Sequence, residues 1–127
     1  MRSVVLDASG LLAFLLAETG AERVASHLHG AVMSAVNYSE VLTRLADLGM
    51  PLAQAIVEIA RLELAIVPLD AELAAVAASL RPKVRSYGLS IADRCCLALG
   101  IAHQLPVLTG DRAWSQVGLE LEIVVFR

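Results

Sequence analysis

The sequence predicts an α/β fold: one domain with a central parallel sheet of about five strands flanked by helices. Three observations lead there. Short runs of Val, Ile and Leu alternate with longer apolar stretches bounded by helix caps, the pattern of parallel strands joined by right-handed crossovers. Apolar residues make up 57% of the chain, mostly Ala, Leu and Val, which suits strands buried on both faces beneath close-packed helices. The 127 residues suffice for one substantial core but not two, so residues 1–127 read as a single domain.

Arg2 to Leu6 reads as a short buried strand ended by Asp7. Ser9 to Ala17 reads as a helix, with a second over Ala21 to His29 after Gly20. Ala31 to Ser34 is a short strand. Asn37-Tyr-Ser-Glu40 has the form of a capping box and is expected to open a helix that Gly49 stops after Leu48. Pro51 suits the first turn of the next helix, which extends to the neighbourhood of Leu62. Leu64 to Pro68 reads as a strand, and Asp70 as the cap of a helix over Ala71 to Leu80, interrupted at Arg81-Pro82. The basic segment Arg81-Pro-Lys-Val-Arg85 leads into a turn at Ser86-Tyr-Gly88. Ser90 to His103 is a long apolar helix, Pro106 to Leu108 a strand, Asp111 to Trp114 a turn or short helix, and Glu122 to Phe126 the final strand.

Several classes are disfavoured. No stretch reaches the ~18 to 20 apolar residues of a membrane span. The first residues read as strand and not as a secretory leader, so the expected location is cytoplasmic. Cys95 and Cys96 are adjacent on a helix and point about 100° apart, which suits two small buried hydrophobes better than a disulfide or a zinc site. The net charge of −3 has the wrong sign for a simple nucleic-acid binder. Without Asp7, Glu40, Asp93 and Asp111 the remainder is slightly positive, so charge moves the question to a site.

Those four carboxylates each stand where an apolar run gives way to a turn or a helix start. In a parallel sheet such places gather along one edge, where ligands bind. Singly, each has an ordinary explanation: Glu40 and Asp93 as capping-box acids, Asp7 as a helix cap, Asp111 as a turn former. Asp93 fits this least well, because its helix is apolar on nearly every face and an ionised carboxylate there needs compensation. Asp7, directly after a buried strand, is its expected partner. Two such acids would raise one pKa, and a cation would relieve the conflict. Oxygen ligands with room for water suit Mg²⁺, with Mn²⁺ as a substitute.

The segments Val5-Leu-Asp7-Ala-Ser9, Ser39-Glu40-Val-Leu, Leu89-Ser90-Ile-Ala-Asp93-Arg-Cys-Cys-Leu-Ala and Val107-Leu-Thr109-Gly-Asp111-Arg-Ala-Trp114 resemble, in order and spacing, the PIN-domain ribonucleases, in particular the VapC toxins of toxin–antitoxin pairs. The resemblance spans essentially the whole chain and implies a PIN-like nuclease domain. It implies Asp7 and Asp93 as direct Mg²⁺ ligands, and Glu40 and Asp111 as acids acting through water or on a second ion. Ser9 and Thr109 would orient the carboxylates by hydrogen bonds. The implied reaction is hydrolysis of RNA phosphodiesters by a water that the metal activates.

Arg81, Lys83, Arg85, Arg94 and Arg112 are candidate contacts to RNA phosphates. The implied partners are RNA, a small cognate antitoxin and, from the apolar excess, a second copy of the chain. Two alternatives keep the fold: an RNA-processing nuclease without an antitoxin, and a catalytically silent binding module. A phospho-receiver domain would want an acidic pair after the first strand and a lysine after the last, and a DxD phosphatase would want an acid where Ser9 stands.

Overall fold

The computed structural model describes residues 3–127. Five strands form one wholly parallel sheet in the order β3-β2-β1-β4-β5. In chain order they are β1 (Val5–Leu6), β2 (Val32–Ser34), β3 (Ala65–Val67), β4 (Val107–Thr109) and β5 (Ile123–Val125). Seven helices flank the sheet: α1 (Ala8–Leu15), α2 (Ala21–Ala25), α3 (Ala35–Asp47), α4 (Leu52–Ala60), α5 (Ala71–Ser79), α6 (Arg81–Val84) and α7 (Ile91–His103). Arg85–Tyr87 and Arg112–Gln116 are 3₁₀ turns.

The chain builds the sheet outward from β1 in one direction through β2 and β3, then returns to lay β4 and β5 on the other side. The order therefore reverses between β1 and β4, the place where open α/β sheets bind ligands beyond the strands' carboxyl ends. Registers Val5↔Val107 and Leu6↔Leu108 bring the residues after β1 level with the end of β4.

Alternation of side chains across β1 divides the core. Leu6 joins Leu11, Met33, Val41 and Leu108 on one face; Val5 joins Cys96, Leu97, Leu99, Val107 and Trp114 on the other. Burial of both faces accounts for the high apolar fraction. Gly100 lets α7 lie close on the sheet, since a Cβ there would come within 2.7 Å of Val107 Cγ2. Among the described residues, no helix is long and apolar enough to cross a membrane.

Most boundaries fall where the sequence suggests, and the differences have local causes. The predicted first strand begins at Arg2, which lies outside the described residues. Ser34 caps α3, its hydroxyl accepting the Val36 amide, so Asn37 lies inside the helix and does not form its cap. Pro51 is the cap residue of α4 and not its first helical residue. The second helix stops at Ala25, short of His29. Pro82 falls in the first turn of a new short helix, α6, where a proline is tolerated because its missing N–H costs nothing.

Candidate functional site

Asp7 is the N-cap of α1, and its carboxylate is nearly fully buried. Its Oδ1 accepts from the Ser9 hydroxyl at 2.7 Å and from the Gly10 amide at 2.9 Å. Its Oδ2 accepts from the Thr109 hydroxyl at 2.5 Å, across the junction of β1 and β4. Burial pushes the Asp7 carboxyl above its ordinary range. Hydrogen bonds from Thr109, Ser9 and Gly10 pull it back, and the charge of Asp93 pushes it up again.

Ser9 and Thr109 each serve the facing loop as well. Ser9 Oγ accepts the Gly110 amide at 3.0 Å, and Thr109 Oγ1 accepts the Asp111 amide at 3.0 Å. Asp111 then caps the following 3₁₀ turn through the Ala113 amide.

Asp93 sits in the first turn of α7 and forms a complete capping box with Ser90: Asp93 N donates to Ser90 Oγ at 3.2 Å, and Ser90 N donates to Asp93 Oδ2 at 2.9 Å. Its side chain is half-buried. The acid that the sequence marks as hardest to explain is thus partly accounted for by its cap, and the buried carboxylate is Asp7. Apolar neighbours on a helix identify a buried helix but not which end of it meets solvent.

Glu40 rises from α3 and accepts from Asn37 Nδ2 at 2.9 Å; the same amide group donates to the Ala92 carbonyl of α7 at 3.2 Å. Asn37 is only 1% exposed. Its position, read from the sequence as a cap, conceals this bridge between the Glu40 and Asp93 helices.

Asp7, Glu40, Asp93 and Asp111 line one cavity of about 520 Å³, with Ser9, Gly110, Arg112, Trp114 and Arg127. The buried Cys96 thiol is pushed well above its ordinary range by burial, then by the charges of Asp7, Asp93 and Glu40. Trp114 packs into the core at 2% exposure. Of the basic candidates, only Arg112 lines the cavity. Arg94 turns back to α5, donating to the Ala77 carbonyl at 3.2 Å, and Arg81, Lys83 and Arg85 are exposed on α6 and the turn after it, outside the cavity lining. Arg127 is a cavity residue that the sequence reading does not single out; only the pairing of β5 with β4 brings it over Gly110.

The donor chemistry fits a hard divalent cation: four carboxylates, one deeply desolvated, lining one cavity with room for water. Among the described residues, no three acidic, His or Cys side chains are drawn together into a finished ligand set. An ion here would therefore complete its shell with water.

The PIN domain family model matches residues 4–119. The chain belongs to the PIN domain family, a family of nucleases that generally use divalent metal ions. Its fold is similar to a chain of a toxin–antitoxin complex from Klebsiella pneumoniae, with TM-score 0.77, 18% identity and 98% coverage of each chain. It is also similar to VapC20 of Mycobacterium tuberculosis, described as a sarcin–ricin loop cleaving toxin, with TM-score 0.72, 18% identity and coverage of 94% of this chain and 99% of that one. A chain of FitAcB from Neisseria gonorrhoeae matches with TM-score 0.68, 24% identity and coverage of 95% and 96%. A sequence search of curated proteins gives no match.

Proposed function

We propose that this chain is a Mg²⁺-dependent endoribonuclease, the toxin of a toxin–antitoxin pair. The observation that carries the reading is the convergence of four carboxylates, from the ends of β1 and β4 and the first halves of α3 and α7, on one cavity with an arginine at its edge. The similar folds support it: one is described as a loop-cleaving toxin and another comes from a toxin–antitoxin complex.

Asp7 and Asp93 would hold the cation, with Glu40 and Asp111 acting through water or on a second ion. When bound, it supplies a lowered pKa for the attacking water and neutralises charge developing on the phosphate. The chain's own residues do the rest. Ser9, Thr109 and the Gly10 amide fix the Asp7 carboxylate, so its lone pairs keep one orientation. The Ser90 amide fixes Asp93, and Asn37 fixes Glu40. Arg112 at the cavity edge offsets repulsion between the acids and the RNA backbone.

The reading includes a small antitoxin and a second copy of the chain as partners. Leu48, Leu52, Ile56 and Val57 are all exposed at the end of α3 and along α4, supplying apolar surface for one of them. Expression of wild type in a bacterial host should arrest growth, and Asp7→Asn should not; equal growth would remove the toxin reading. Purified wild type should cleave RNA with Mg²⁺ or Mn²⁺ and stop in chelator. Cleavage that persists in chelator would remove the metal.

A further inference from the structure

We infer that Arg127 is a positioning residue for the RNA backbone, holding a phosphate over the acid cavity beside Arg112; this rests on the ribonuclease reading above. Four carboxylates line the cavity, and the cations lining it are Arg112 and Arg127. A polyanion entering needs positive charge at the lip, and a planar guanidinium suits a phosphate because it can donate two parallel hydrogen bonds.

The setting of Arg127 presents such a group in advance. Its guanidinium carbon lies 5.1 Å from the centre of the Phe126 ring, within cation–π range. Its Nε and a terminal nitrogen lie against bare Gly110, where a Cβ would come within 2.8 Å and 3.0 Å of them. The Arg112 Nε donates to the Arg127 backbone oxygen at 3.1 Å, so the two arginines are tied together at the cavity edge. The one ion pair of Arg127 among the described residues runs from a terminal nitrogen to Glu18 at 3.4 Å. Both side chains are partly exposed, 33% and 44%, so this pair holds the guanidinium only loosely and can yield a donor to a ligand. Glu18 itself is not part of the cavity lining.

A purely structural Arg127 would matter through Glu18 and Phe126; a phosphate contact would matter through its charge on RNA. The two separate in the salt dependence of binding to a short single-stranded RNA, measured in the cleavage-deficient Asp7→Asn background. Adding Arg127→Gln should lower the slope of log K against log salt by about 0.7, the value of one phosphate contact on a single strand. Arg127→Lys should keep the slope, and Glu18→Gln should not reduce it. With Asp7 intact, Arg127→Gln should raise KM about tenfold with kcat little changed, the signature of lost uniform binding. Equal slopes with and without Arg127→Gln, both proteins being folded by circular dichroism, would overturn the assignment. Wild type that cleaves no RNA overturns the ribonuclease reading instead, and a slope still lost in that case keeps Arg127 as a phosphate contact.

Discussion

The Thr109 hydroxyl donates to Asp7 at 2.5 Å while accepting the Asp111 amide at 3.0 Å, so one side chain ties together two acids that are far apart in the sequence. Thr109→Val keeps the shape and removes both bonds. A buried acceptor left unpaired costs about 1–3 kcal/mol, which should appear as a lower melting temperature. Loss of a group that orients a metal ligand typically lowers metal affinity or activity by about 10- to 100-fold. Thr109→Ser should restore most of both. A valine variant with wild-type cleavage and wild-type Mg²⁺ response would show that Thr109 positions nothing.

The burial of Asp7 predicts a cost that the metal-free protein carries. Because folding raises its pKa above 3.8, the folded state holds the proton more tightly than the unfolded state. The stability this supplies is fully present below about pH 3.8 and is lost as pH rises through the folded value. Without divalent ions, the melting temperature of Asp7→Asn relative to wild type should therefore rise as the pH is raised from about 4 to 7. Mg²⁺ at about 100 times its dissociation constant adds about 2.7 kcal/mol to whichever form binds it, so wild type should rise by several degrees and Asp7→Asn far less. A difference between the two metal-free proteins that does not change with pH would contradict this.

The fold was legible because its signals are local. Alternating apolar runs gave five strands, and Asp70, Ser90 and Gly49 marked helix ends that the structure keeps. The cavity was legible only as a set of candidates, since strand ends and the first halves of the adjoining helices cluster by topology and the acids there came with them. What stayed hidden depends on contacts between distant segments. Asn37 looks like a cap until Ala92 is seen beside it, and Arg127 looks like a trailing residue until β5 pairs with β4. The Ser90–Asp93 capping box, by contrast, is local and legible, and what the apolar helix does not reveal is that its first turn leaves Asp93 only half-buried.

Gly100 makes a prediction about stability that leaves the site alone. It lies in α7 against the start of β4, where an added Cβ would meet Val107 Cγ2 at 2.7 Å and both the Leu105 carbonyl and Leu121 Cδ1 at 3.2 Å. Alanine improves helix propensity by about 1 kcal/mol, while overpacking a tight core costs about 1–3 kcal/mol. The clash should prevail, with a net loss on the order of 1 kcal/mol in urea unfolding. Cleavage per folded molecule should stay within about twofold, because Gly100 is not part of the acid cavity lining. A variant as stable as wild type would mean that fitting the Cβ against the sheet costs no more than the helix propensity gained.

Asn37 offers the sharpest separation between packing and charge. Its amide nitrogen bridges Glu40 at 2.9 Å and the Ala92 carbonyl at 3.2 Å, and both are acceptors. Only a donor satisfies that position. Asn37→Ala removes the donor and leaves Glu40 free to rotate, at a stability cost of about 1–3 kcal/mol. Its cleavage should fall because one cavity acid is no longer held. Asn37→Asp is nearly the same size but turns a donor into a carboxylate facing a carboxylate and a carbonyl inside the protein, which charge repulsion and desolvation both oppose. The expected order of melting temperature at pH 7 is wild type, then Asn37→Ala, then Asn37→Asp, although Asp is the closer match in shape. If Asp proved the better tolerated of the two, shape and not hydrogen-bond polarity would be what Asn37 contributes, and the tie between Glu40 and α7 would be incidental.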